Sequence, residues 1–241
     1  MSKEIVVPDY LKSMVQEDDS ASSLVTSAGS AFPRISLKGR QFRFNKEGEE
    51  VFKTPNPIDV VIIGVQPEQG MAKTYYINGY QPGDTSPPDC SSQDGIRPDS
   101  WVASPISPNC ASCPQNKWGS ATSMTGKKAK ACKDSKRLLV TVPKDPENAA
   151  LYLLNVTVSS LKALSEYGKQ LVANHIPMAA AVTTISMADS DFPQLEFEFK
   201  SILPEDKCAL ALARSKEKSW ESDYTAAQLA APDDSDPTPQ R

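Results

Sequence analysis

Residues 80 to 135 constrain the fold more than any other part of the chain. Pro, Ser, Asp, Gly and Lys dominate there and hydrophobic periodicity is lost, although strand-like runs stand on both sides. A structureless loop of that length is improbable inside a compact domain. Something other than an apolar core has to organise it, and four of the five cysteines fall within it, at positions 90, 110, 113 and 132.

Cys110-Ala111-Ser112-Cys113-Pro114 places two thiols on one tight turn, the spacing with which two sulfurs reach a single ion. Cys90 lies 20 positions before Cys110, and Cys132 lies 19 after Cys113. Gly119 and Gly126 permit the chain to return toward Cys132, while Pro98, Pro105 and Pro108 shape the other arm. The expectation is one structural zinc held by Cys90, Cys110, Cys113 and Cys132. Four sulfur ligands leave no open position for water, which argues against a catalytic metal. Three other readings compete. Disulfides are disfavoured in a cytosolic chain. Buried thiols usually sit in apolar sequence, and these do not. A redox Cys-x-x-Cys would follow a βαβ context that is missing here. Cys208 lies apart from the set.

The flanks read as regular structure. Residues 35–37 lead through Gly39 into the alternating stretch 40–44, and 46–50 reads as a turn before 51–53. Residues 58–65 (IDVVIIGV) form a continuous apolar, β-branched run, that is, a buried strand. Further strands are expected at 73–77, 137–142, 151–156, 179–187 and 195–202. Ser159-Ser160 is expected to cap a helix with apolar positions Leu161, Leu164, Leu171 and Val172, ended by Pro177. Leu210, Leu212 and Leu229 hint at short helices near the end. The resulting class is mainly β (α+β): an OB-like barrel with one prominent helix and a zinc-binding loop insertion. The organisation expected is a flexible N-terminal arm at 1–31 and an OB-like nucleic-acid-binding domain at 32–204 with its zinc module at 85–135. A C-terminal helical segment and disordered acidic tail follow at 205–241.

Charge is unevenly spread around the net value of −4. From Cys110 to Arg137 the chain carries Lys117, Lys127, Lys128, Lys130, Lys133, Lys136 and Arg137 against Asp134 alone. Arg34, Lys38, Arg40, Arg43 and Lys46 form a second basic run, and Asp233, Asp234 and Asp236 make the end acidic. Single-stranded nucleic acid is held by aromatic platforms in a positive groove, with lysines displacing counterions from phosphates. The candidates are Arg40, Phe42, Arg43, Phe44, Tyr75, Tyr76, Trp118, Lys127, Lys128, Lys130, Lys133 and Lys136. Strand alternation puts Phe42, Phe44 and Arg40 on one face and Arg43 on the other. The opposing reading makes Phe42 and Phe44 core residues and the lysines a solvated face.

Enzymatic motifs are thin. His175 is the only histidine and reads as a capping or surface residue. No phosphate-binding Gly-rich loop appears. Asp189 and Asp191 offer only a weak divalent-ion site of the kind a nuclease uses. No apolar run reaches the roughly 20 residues of a membrane helix, and the start of the chain is poor in apolar residues for a secretory leader. A cytoplasmic, non-enzymatic binding protein is expected.

Three stretches carry a resemblance. They are Pro33-Arg34-Ile35-Ser36-Leu37-Lys38-Gly39-Arg40-Gln41-Phe42; Cys90-Ser91-Ser92-Gln93-Asp94-Gly95; and Cys110-Ala111-Ser112-Cys113-Pro114-Gln115-Asn116-Lys117-Trp118-Gly119-Ser120, continuing through Gly126-Lys127-Lys128 to Ala131-Cys132-Lys133-Asp134-Ser135-Lys136-Arg137. Over residues 33 to 140 the chain resembles phage-type single-stranded DNA-binding proteins that carry a zinc site on an OB-fold. It departs from the phage helix-destabilising proteins with a His-plus-three-Cys site, since its ligands are all Cys. The resemblance implies coating and protection of exposed strands in replication, recombination or repair, within the host cell if the protein is viral. It also implies contact with replication or recombination proteins through the acidic tail. The alternative is a zinc-containing protein–protein adaptor of a replication or transcription complex.

Overall fold

The computed structural model describes residues 32–38, 40–46, 49–79, 88–123, 126–189 and 193–218, all within one compact unit. The expected arm at 1–31 and the acidic residues Asp233, Asp234 and Asp236 lie outside the described residues, as does Asp191.

The alternating apolar pattern of residues 34–55 folds into an antiparallel meander of β1 (Arg34–Lys38), β2 (Gln41–Lys46) and β3 (Glu49–Pro55). Two residues later the β-branched run begins β4 (Ile58–Gln66). After β4 come β5 (Ala72–Tyr75), β6 (Cys90–Ser92), β7 (Ala121–Thr122) and β8 (Lys128–Ala129). The rest is β9 (Lys133–Thr141), β10 (Tyr152–Thr157), α1 (Val158–Ala173), β11 (Ala181–Met187), β12 (Leu195–Ile202) and α2 (Glu205–Glu217). The main sheet runs β12-β11-β4-β9-β10-β1-β2-β3, and β1 lies parallel to β10. β5 pairs with both β6 and β9, while β7 and β8 form a separate hairpin.

This order forces a curl. In a flat sheet β3 would stand about 24 Å from β4, five strand spacings of roughly 4.8 Å. Only Asn56 and Pro57 join them, and three Cα–Cα steps of about 3.8 Å reach about 11 Å. The sheet therefore bends into a half-barrel that brings β3 back toward β4.

Both faces of the central strands are apolar, so two cores form. The concave core holds Ile35, Phe42, Phe44, Val60, Ile62, Leu138, Val140, Leu154 and Ile185 under α1. The convex core holds Phe32, Val61, Ile63, Leu139, Leu153 and Val182, with Ala211 of α2. Tyr167 and Leu171 anchor α1 in the concave core, each side chain worth roughly 1.5–3 kcal/mol of burial. The Tyr167 hydroxyl also bonds Thr183 Oγ1 at 2.6 Å in the interior.

Local expectations are modified at several places: Lys46, Glu49 and Glu50 of the expected turn pair within β2 and β3, and the strand expected from 179 begins at Ala181, after a 3-10 turn at Met178–Ala180. Ser159 and Ser160 lie inside α1 rather than capping it; Thr157 is the N-cap residue, with no side-chain cap bond. Ser160 Oγ instead accepts the Leu195 N–H at 2.8 Å, and Ser159 donates to the Pro193 carbonyl at 2.9 Å, tying the helix start to the β12 end. Val172 is exposed, whereas Tyr167, absent from the expected apolar positions, is buried. Arg40 sits not on the strand face with Phe42 but in the β1–β2 turn, at a positive φ of 58°. His175 is exposed just past the helix end, also at positive φ, and its N–H donates to Val172 O. No helix among the described residues is long and apolar enough to cross a membrane.

Candidate metal centre and nucleic-acid interface

The four cysteines of the 80–135 segment line a single cavity of about 20 Å³, room for about one water-sized sphere. Sheet register supplies two of them. β5 opposes Tyr75 to Cys90 on one side and Thr74 to Lys133 on the other. Cys90 and Cys132, the residue before Lys133, are thereby drawn to neighbouring positions across one short strand. The tight turn supplies the other two. Cys113 N–H points to the Cys110 carbonyl at 3.4 Å, and Pro114–Asn116 continues as a 3-10 turn. Cys132 N–H donates to Gln115 O at 2.9 Å, locking the fourth cysteine to that turn. Asn116 Nδ2 donates to Cys110 O at 2.8 Å, and Cys110 N–H to Ile96 O at 2.8 Å.

Acidic side chains shape the arm between Cys90 and Cys110. Asp94 Oδ1 accepts from the N–H groups of Ile96 and Arg97 at 2.7 and 3.2 Å. Burial alone would raise its carboxyl, but these bonds and the one from Ser92 hold it below the usual range. Asp99 accepts from Gln93 N–H at 2.8 Å and from the Ser91 hydroxyl. Gly95 adopts φ +72°, and a Cβ there would meet Met71 O at 2.1 Å. The loop is pressed onto the residue that precedes β5, and only glycine fits.

A charge cluster stands beside the sulfurs. Lys73 Nζ meets Asp134 Oδ1 at 2.6 Å, and Lys130 pairs with the other carboxylate oxygen. Asn116 Oδ1 accepts from both lysines at 3.4 and 3.1 Å. Desolvation would raise the Asp134 carboxyl, yet the two ammonium groups keep it lowered. Burial pushes the Cys132 thiol up to about 12, with Lys73 opposing the rise. Burial also raises the Cys90 thiol, opposed by an N–H bond from Ile106. These thiols stay protonated at neutral pH unless a cation joins them.

Among the described residues, no group of three or more His, Cys, Asp or Glu side chains takes up a metal-holding arrangement as it stands. The donor chemistry nonetheless fits a four-sulfur zinc. The four thiols share one cavity, a backbone N–H already serves one sulfur, and a lysine offsets the negative charge that four thiolates would leave.

The nucleic-acid candidates separate. Trp118 is 74% exposed at the base of the β7–β8 hairpin, where Gly119 N–H donates to Ala129 O and the Lys128 side chain passes close to Gly119. Lys117, Lys127 and Lys128 are exposed around it. Lys130 is committed to Asp134, Lys133 Nζ to the Lys130 carbonyl, and Lys136 Nζ to the carbonyls of Pro67 and Glu68. Burial lowers the Lys136 ammonium, consistent with that structural post. Arg40 pairs with Asp189, which is itself fully in solvent, and Arg43 with Glu50. Tyr75 lines the cysteine cavity, and burial raises its phenol; Tyr76 is half-buried. Phe42 is fully buried and offers no face to a base, while Phe44 is buried but stacks on half-exposed Phe52 at 4.1 Å. Sequence reasoning missed Lys73, Asp94, Asp99, Phe52 and Tyr152. Only Asp94-Gly95, a turn signal beside Cys90, was visible in advance.

Compared with known protein families, with curated proteins and with solved structures, the chain matches none.

Proposed function

We propose that the protein binds single-stranded DNA without sequence preference and without catalysis, and that a structural zinc fixes the loop presenting part of its binding surface. The single observation carrying this reading is the convergence of Cys90, Cys110, Cys113 and Cys132 on one cavity, at the foot of an exposed Trp and lysine knuckle. The zinc would be held by those four residues, supplying a cross-link rather than chemistry.

Strand order supports the OB-like part of the reading. The sequence β4, β9, β10, α1, β11, β12 lies in the sheet as β12-β11-β4-β9-β10, with α1 between the third and fourth strands. That is the 5-4-1-2-3 order of a five-stranded Greek-key OB barrel, with β1, β2 and β3 added beyond the third strand. On this mapping the cysteine module is the loop between the first and second strands, one of the two loops with which such barrels bind oligonucleotides. The likeness to phage-type single-stranded DNA-binding proteins points the same way, and cellular partners would be replication or recombination proteins. The adaptor reading retains one observation: Ile96 and Ile106, flanking the cysteines, are exposed.

The test is a fluorescence titration with single- and double-stranded oligonucleotides at two salt concentrations, after metal analysis of the purified protein. Stoichiometric zinc and salt-sensitive, single-strand-selective binding are expected. Absence of binding at low salt rejects the function, and absence of zinc rejects the cross-link.

A further inference from the structure

The sheet's seam offers a second place for a strand, away from the cysteine module. β3 returns toward β4 through the two-residue link, but the two strands are not hydrogen-bonded. β4 itself pairs with β9 only from Val61 onward, so Ile58–Val60 have no partner on that side. Between these edges lies a cavity of about 250 Å³ lined by Phe44, Phe52, Thr54, Val140, Thr141 and Tyr152. Its aromatic wall is ordered. Phe44 and Phe52 stack with an 11° interplanar angle, and Tyr152 meets Phe44 edge-on at 5.0 Å. Phe44 covers one side of Phe52, yet the Phe52 residue keeps 44% of its surface exposed.

We propose that this seam is a slot for one unpaired nucleobase of a bound single strand, with Phe52 as the stacking surface and Tyr152 beside it. The inference rests on the single-strand reading above and extends it to a second site. Three features favour a base over other occupants. Flat, parallel aromatic rings add a third ring with little loss of side-chain entropy. Asp59 also lines the slot, its carboxylate held ionised chiefly by the Lys200 bond at 2.5 Å and further by Thr184. No cation stands among the lining residues, and Lys200 is already paired with Asp59, so nothing there draws a phosphate into the slot. The Thr54 and Thr141 hydroxyls donate to the Pro55 and Ala150 carbonyls at 3.5 and 3.2 Å, which leaves their oxygens as acceptors for the N–H groups of a base edge.

The test titrates wild type, Phe52→Leu and Phe52→Tyr with a thymidine oligonucleotide and with an abasic oligonucleotide of equal length. Leucine keeps the apolar contact with Phe44 but removes the π face, and thermal melting verifies that each variant is folded. Phe52→Leu should bind the thymidine strand about tenfold more weakly and the abasic strand as wild type does, with Phe52→Tyr restoring the thymidine affinity. Unchanged thymidine binding by Phe52→Leu, or an equal loss for both strands, overturns the slot while leaving the single-strand reading intact. Wild type that binds neither strand at low salt overturns both.

Discussion

Gly95 provides the sharpest test of how the cysteine module is fastened to the sheet. Replacing it with alanine has two costs. An L residue at φ +72° pays a left-handed strain of about 1–2 kcal/mol. The new Cβ would also stand 2.1 Å from Met71 O, a distance real contacts never reach. Relief needs roughly 1 Å of movement between two backbone segments, and Ala72, the next residue, is fully buried at the start of β5. Overpacking of that kind costs about 1–3 kcal/mol. Together Gly95→Ala should lose about 2–5 kcal/mol. Gly126 is the matched control: it has φ +76° with nothing within 4 Å of its would-be Cβ, so Gly126→Ala should lose only the strain, about 1–2 kcal/mol. Urea unfolding of the two variants beside wild type reads the difference directly. Since β5 carries Tyr75 opposite Cys90, Gly95→Ala should also release metal to a chelator sooner than Gly126→Ala does. Equal stabilities for the two variants would refute the claim that the loop bears on Met71.

Other outcomes are equally specific. Cys113→Ser should abolish stoichiometric zinc and make residues 88–132 the first site of limited proteolysis, whereas Cys208→Ser should leave both unchanged. Asp134→Ala strands two half-buried ammonium groups, Lys73 at 13% and Lys130 at 28% exposure, and should cost about 2–4 kcal/mol by chemical denaturation. Tyr167→Phe leaves the buried Thr183 hydroxyl without its 2.6 Å partner and should cost about 1–2 kcal/mol. Lys127→Ala combined with Lys128→Ala should leave the melting temperature within a degree or two. The pair should also lower the slope of log affinity against log salt by about 1.4, two phosphate contacts' worth.

Regular structure was legible where apolar residues ran continuously or at a strand or helix period. The run 58–65 announced β4 because a strand covered on both faces reads as continuous Val and Ile. The helix after Thr157 was visible from its spacing, but its start was not. Ser160 serves a backbone N–H 35 positions away, a tertiary demand that no local capping rule contains. The cysteine convergence was legible from spacing alone, because a tight turn and two flanking thiols leave few ways to organise a polar loop. The ion cluster of Lys73, Lys130 and Asp134 was hidden, since Lys73 lies 61 positions from its partner. Phe52 was passed over because an exposed residue of an edge strand gains its role from the curl, and the curl follows from strand order.

The central pair β4 and β9 meet only after the chain between Gln66 and Lys133 has been gathered. Closing a loop of that length before any contact rewards it is slow, and slower folding exposes sheet edges for longer. Drawing Cys90 and Cys132 together early would shorten the search that Ile62 must make for Val140. On that view the cysteine-lined turn serves as an assembly jig, whose main effect would be seen in the rate of refolding as much as in the finished sheet.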